Sequence, residues 1–185
     1  GACTDYEAFT SDPSARLELS HDTLAFDTII STVPSATRTL TVFNRNKKGV
    51  RIASVSLAAG SSSHFRVNVD GEWLADGAGE DFKIYRKDTM IVRVEVTVPQ
   101  VESTQVGTIN DVLRFVMESG NVHEVVLQAS AIDAYMVHGM VIDHDSTLLT
   151  DKPYLIYDSL YVAQGARLNL LPGTRLMFHD DAAMH

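Results

Sequence analysis

The 185-residue chain is poor in several things at once: one cysteine, one tryptophan, five prolines, and only 15 Lys and Arg against 24 Asp and Glu. With Cys3 alone, no intrachain disulfide can form. That leaves a reducing compartment, or a secreted protein whose single thiol has another task. A formal net charge of -9 argues against wholesale nucleic-acid binding, which needs basic stripes to displace counterions. No apolar run approaches the ~20 residues of a membrane-spanning helix. The period of a capped amphipathic helix, apolar at i, i+3, i+4 and i+7, is missing as well. So is any G-x-S-x-G elbow. The G-x-G of Gly77-Ala78-Gly79 sits between Asp76 and Glu80, which would repel a phosphate.

What is present has a period of two. Thr39 to Phe43, Arg51 to Leu57, Phe65 to Val69, Ile91 to Val98 and Val122 to Leu127 alternate apolar with polar or small residues. Such runs, rich in stiff β-branched side chains, suit half-buried strands. Asp111 to Met117 alternates and ends on a turn signal, which reads as a strand as well. Asn44 to Gly49 and Glu118 to Asn121 carry the Gly and Asn that hairpin tips require. Short strands at this spacing predict an all-β fold, a sandwich over residues 15–134. With 45% hydrophobic residues, a chain of this size has material for a core without disulfides.

On either side the character changes. Residues 1–14 are polar and read as a flexible tether. From Tyr135 to His185 come a linker and short strand-like pieces, Tyr154 to Tyr157, Leu160 to Val162, Ala166 to Leu170 and Thr174 to Phe178. Gly165 and Pro172-Gly173 supply the corners. Very short strands with one- or two-residue corners suit a coil of parallel β-structure, of which about one rung is visible.

Candidate chemistry is sparse. Asp70, Glu72, Asp76, Glu80 and Asp81 offer hard oxygen ligands, but Gly71 falls in the wrong place for a calcium loop. Asp143-His144-Asp145 and His179-Asp180-Asp181 with His185 mix imidazole and carboxylate, yet lie in turns that do not force convergence. The reading is no metal and no cofactor. Ser61 to Ser63 beside His64 place hydroxyls near an imidazole without triad geometry, so no catalytic residue is assigned and no enzymatic activity is expected. Trp73, in an irregular loop, is the side chain best suited to an exposed ligand contact. Tyr154, Tyr157 and Tyr161 read as packing, with Tyr157 and Tyr161 flanking a corner at Asp158-Ser159. Arg38, Arg45, Lys47, Lys48 and Arg51 gather on one predicted hairpin, where charge keeps an exposed edge soluble.

Cys3 has two readings on its own residues. In Gly1-Ala2-Cys3-Thr4-Asp5 a small residue precedes the cysteine and a polar segment follows, as at the start of a processed bacterial lipoprotein. The other reading is an incidental thiol in a frayed terminus.

Ser20-His21-Asp22-Thr23-Leu24-Ala25-Phe26-Asp27-Thr28-Ile29, followed by Thr39-Leu40-Thr41-Val42-Phe43-Asn44, resembles the opening of immunoglobulin-like modules of the ASH or choice-of-anchor-D type. There an F-D-T-V strand precedes a T-V-x-N strand. Phe65 to Gly71, Lys87 to Val98 and Asn121 to Ala134 continue the pattern. The whole chain resembles the N-terminal part of Bacteroidetes-type envelope lipoproteins, in which such a module precedes a right-handed parallel β-helix. Asp151 to Ala166 and Pro172 to His179 look like that helix's first rung. The resemblance implies an immunoglobulin-like β-sandwich, a lipid anchor on Cys3, and a place in the bacterial cell envelope, periplasmic or surface-exposed.

The expectation is therefore a monomeric, non-catalytic envelope module that scaffolds or binds a glycan or protein ligand, with Trp73 as the contact. The alternative is an accessory N-terminal domain of a polysaccharide-acting β-helix enzyme whose active site lies elsewhere.

Overall fold

The computed structural model describes residues 8–30, 37–98, 105–179 and 182–185. These residues are all-β: the strands below and one 3₁₀ turn, Gly60–Ser62, with no α-helix among them. They divide into two compact units, one drawn from residues up to 98 and 108–130, the other from 105–107 and 131–185.

The first unit holds β1 (Phe9–Thr10), β2 (Glu18–Leu19), β3 (Thr23–Ala25), β4 (Ile29–Ile30), β5 (Arg38–Phe43), β6 (Gly49–Leu57), β7 (Phe65–Val69), β8 (Glu72–Trp73), β9 (Ala78–Ile84) and β10 (Thr89–Val96). Two longer strands, β11 (Gln105–Met117) and β12 (Val122–Ile132), cross the division. One sheet runs β2-β5-β10-β7-β8. The other runs β1-β6-β11-β12-β3, with β9 also on β6 and β4 also on β12.

The period of two decides what is inside. Along β10, Met90, Val92, Val94 and Val96 are fully buried while Thr89 and Arg93 face out. Leu40 and Val42 of β5 and Val67 of β7 join them from the same sheet; Ile52, Val55, Leu113, Phe115, Val125 and Leu127 come from the other. Each such side chain removed from water contributes about 1.5–3 kcal/mol. The Phe26 and Phe65 rings, 5.8 Å apart, link the sheets.

Buried polar groups fasten the loops. Asn44, 1% exposed, donates through Nδ2 to the carbonyls of Lys48, Ile84 and Tyr85, and its Oδ1 accepts from the Asn46 backbone and side chain. Asp111 accepts from the backbone N–H of Ala59 and Val112 and from the Ser63 hydroxyl at 2.5 Å. These bonds satisfy groups that would otherwise be stranded away from water.

The start of the chain departs from the expected tether. Phe9 and Thr10 form β1 and pair in parallel with Gly49 and Val50. The reason is a fit that composition hides. A Cβ at Gly49 would lie 2.8 Å from two Phe9 ring carbons, so only glycine admits the ring there. The Arg51 guanidinium lies 4.4 Å from its centroid. Farther on, Asn121 Nδ2 donates to the carbonyls of Pro13 and Ala15 at 2.7 Å each.

The second unit holds β13 (Tyr135–Ile142), β14 (Ser146–Thr147), β15 (Tyr154–Val162), β16 (Leu168–Asn169), β17 (Leu176–Phe178) and β18 (Ala183–Met184). Every printed pairing among them is parallel. Tyr135 pairs with Tyr154, 19 residues on, and Tyr154 with Leu176, 22 residues further. Ser146 pairs with Leu168, and Ser159 with Ala183. The chain thus returns to the same line at three successive levels, where the sequence suggested about one. Ile142, Leu148, Tyr154, Ile156 and Leu160 form the interior. The anticipated corner at Asp158-Ser159 is no corner: β15 continues through it with a bulge, Asp158 at φ 63°, matched on β13 by Gly139 at φ 68°.

Candidate functional site

Trp73 reaches its position through a two-residue hairpin. Asp70 and Gly71 both have positive φ, 49° and 96°, the requirement of the tight turn that Asp-Gly favours. The turn sets β8 against β7 with Asn68 opposite Trp73 and Val69 opposite Glu72. Phe65, Val67 and Val69 point into the core, so Arg66 and Asn68 point out. Trp73 shares that outer face. Asn68 is 7% exposed although it points outward, and its Oδ1 accepts from the Gly71 N–H at 2.9 Å.

Trp73 remains 46% exposed. The Arg66 guanidinium covers one side of its ring, 4.4 Å from the centroid, a contact that desolvation strengthens. Arg66 is itself held by Glu95, its register partner on β10, at 2.8 Å. Glu95 is only 18% exposed and Arg66 59%, so the carboxylate end of the chain of contacts is the fixed one. Trp73, Arg66 and Glu95 form a row across three neighbouring strands. Ring, cation and carboxylate together offer a stacking surface with donors and acceptors at its side.

A cavity of about 220 Å³ opens beside this row, lined by Ser61, Ser63, Arg66, Leu74 and Asp76 among others. It is smaller than the roughly 300 Å³ at which ligand pockets begin, so it suits one ring or a chain end, with the rest of a ligand on the open face.

The other candidate residues are placed differently. Cys3 lies outside the described residues, as do Asp180 and Asp181. Asp70 is engaged locally: its carboxylate accepts from the Ile91 N–H at 3.0 Å. Ser63 donates to Asp111 and accepts from the Phe65 N–H, so its hydroxyl serves the loop. Among the described residues, no group of three or more His, Cys, Asp or Glu side chains converges on a metal position. Asp143 and His144 form an exposed pair at 2.6 Å; the hydrogen bond from His144 holds the Asp143 carboxyl below its usual range.

The tyrosines divide. Tyr154 is buried and its hydroxyl accepts from the Leu149 N–H. Tyr135 donates to Asp151 at 2.8 Å, and that bond pushes its hydroxyl pKa up to about 12. Tyr157 stands between two imidazoles, with centroids 4.6 Å from His138 and 4.8 Å from His179, one ring from each level of the second unit. Tyr161 is exposed.

Sequence reading found Trp73 but neither Arg66 nor Glu95. The available signal was the alternation of Phe65-Arg66-Val67-Asn68-Val69 joined to the Asp-Gly turn, which together put Trp73 and Arg66 on one face.

No family model matches the chain, and no curated protein matches it. Among solved structures it is similar to the ASH/PapD-like domain of human CEP192 (PapD-like domain 7), at 14% identity over 67% of this chain and 89% of that one, TM-score 0.40. It is similar to the periplasmic chaperone SfaE at 12% identity, over 62% of this chain and 56% of that one, TM-score 0.43. A protein of unknown function from Porphyromonas gingivalis is 16% identical over 72% of this chain and 60% of its own, TM-score 0.44.

Proposed function

We propose that the chain is a non-catalytic, envelope-tethered module that binds a glycan across the Trp73 face. The observation that carries this reading is the Trp73-Arg66-Glu95 row. An aromatic ring, half exposed and held by a cation whose own partner is nearly buried, is pre-ordered, so a ligand that stacks on it has little side-chain entropy to remove. Sugar rings present an apolar face for stacking and hydroxyls for the polar groups alongside. The small cavity lined by Ser61, Ser63 and Asp76 would take the terminal ring.

The envelope assignment rests on Gly1-Ala2-Cys3 and the polar residues after it, read as a processed lipoprotein start with Cys3 bearing the lipid. The sandwich is taken as an immunoglobulin-like module of the ASH type, and the second unit as the opening of a right-handed parallel β-helix. Three levels of parallel pairing at offsets of about 20 residues support the latter. That coil also favours a second reading, in which the chain is an accessory domain of a polysaccharide-acting enzyme.

Two experiments test the proposal. Fatty-acid labelling in a bacterium expressing the lipoprotein should acylate the parent and not Cys3→Ser. A panel of envelope and host glycans should yield ligands bound without turnover; cleavage of any of them by this chain would overturn the non-catalytic reading.

A further inference from the structure

We propose that the end of the sandwich formed by the β5–β6 and β9–β10 turns docks on a bilayer of anionic phospholipid. The whole chain is strongly acidic, at -9, yet its cations are not evenly spread. Arg16, Arg45, Lys47, Lys48, Arg86 and Lys87, six of the 15 basic residues, are all exposed and lie on three adjoining segments.

Hydrogen bonds bring these segments together. Asn46 Nδ2 donates to the Arg16 carbonyl at 2.8 Å, and Lys87 Nζ to the Arg45 carbonyl at 2.5 Å. The buried Asn44 ties the β5–β6 turn to Tyr85 and, through its backbone N–H, to Asp88. The same segments carry three acids. Glu18 pairs with Arg45, Asp12 is turned onto Ser14, and Asp88 caps the Thr89 N–H. Arg51 and Glu118 beside them form a pair of their own. The turns thus present a local excess of positive charge on a molecule of opposite net sign.

The path of the chain gives that excess a direction. The Gly49 N–H donates to the Ala8 carbonyl at 2.8 Å, and Phe9 is seated against Gly49, so β1 is clamped at the foot of the cationic hairpin. Five residues separate Ala8 from Cys3. Fully extended, they reach at most about 18 Å. A lipid on Cys3 would therefore hold this end, and no other end of the sandwich, near the headgroups. There the negative surface potential attracts basic residues and falls off over a Debye length of about 8 Å at physiological salt. This orientation rests on the lipoprotein reading.

The test uses the single cysteine. The chain is coupled through Cys3 to a maleimide lipid in vesicles of phosphatidylcholine, or of phosphatidylcholine with about one-third phosphatidylglycerol. Acylation of its lysines is then quantified by mass spectrometry. On anionic vesicles the labelling of Lys47, Lys48 and Lys87 should fall at least about threefold relative to neutral ones, and high salt should restore it; Lys152, in the second unit, should not change. The exposed-turn variant Lys47→Glu/Lys48→Glu should lose the protection of Lys87. Equal labelling on both vesicle types, or protection shared by all lysines, would overturn the proposal. So would protection by a soluble acidic polysaccharide without protection by vesicles. Because the coupling is chemical, an unacylated Cys3 in cells would defeat the lipoprotein reading and leave this result to stand or fall separately.

Discussion

The guanidinium of Arg66 lies 4.4 Å from the centre of the Trp73 ring while binding Glu95 at 2.8 Å. The indole is thereby held against the sheet instead of swinging over the Asp70-Gly71 turn. Removing Arg66 should loosen it without unfolding the sandwich, because Arg66 is on the outer face. Arg66→Ala is expected to raise the accessibility of Trp73 to a neutral fluorescence quencher and to weaken glycan binding by about tenfold, the equivalent of ~1.4 kcal/mol. An unchanged quenching constant would show that the contact does not order the ring.

Asn44 should be among the costliest polar positions in the sandwich. Its amide serves two turns at once and is buried. Asn44→Ala strands several carbonyls and is expected to lower unfolding stability by about 2–4 kcal/mol. Denaturant titration with an unchanged slope would measure it.

Much of this was legible in advance, for a physical reason. The alternation in Thr89 to Val96 reports burial directly, since one sheet face is dry and the other wet. Asn44 closes the T-V-F-N stretch that the sequence marked as a family-like signature, and the structure shows its work: tying the β5–β6 hairpin to the end of β9. Phe9 was not legible, because its partner is a bare glycine 40 residues away and its neighbours are polar. Arg66 and Glu95 needed strand register, which no local pattern carries. The second and third levels of parallel pairing were hidden because β14, β16 and β18 are two residues long and have no period to read.

In the second unit, Lys152 lies 3.0 Å from Asp133, which is 3% exposed. It also sits 4.8 Å from the centre of the Tyr135 ring. Lys152→Met should destabilise this unit by about 3 kcal/mol, because it leaves a buried carboxylate without its partner. Adding Asp133→Asn should recover most of the loss, since the amide oxygen can still accept from the Ala134 N–H. Thermal unfolding of the single and double variants separates lost charge pairing from lost packing.

His123 makes stability depend on pH. Burial, with the nearby Arg16 charge adding to it, holds its imidazole below the ordinary pKa of 6.5, and its Nε2 accepts from the Leu17 N–H at 3.2 Å. Protonation destroys that acceptor, so the unfolded chain binds the proton more readily than the folded one. The contribution is complete above pH 6.5 and is lost as pH falls through 6.5 toward the lowered value. His123→Gln should show a shallower decline in melting temperature than the parent between about pH 7.5 and 5. Parallel curves would contradict the assignment.

The central claim, that Trp73 is the ligand contact, has a direct optical test because it is the only tryptophan in the chain. Titration with a glycan panel, followed by intrinsic fluorescence and by calorimetry on Trp73→Ala, reads the site itself. The account predicts a saturable change in emission for at least one glycan, with affinity for it falling about 30-fold or more in the variant, as for a binding hot spot. A glycan that binds parent and variant equally, leaving the emission untouched, would contradict it.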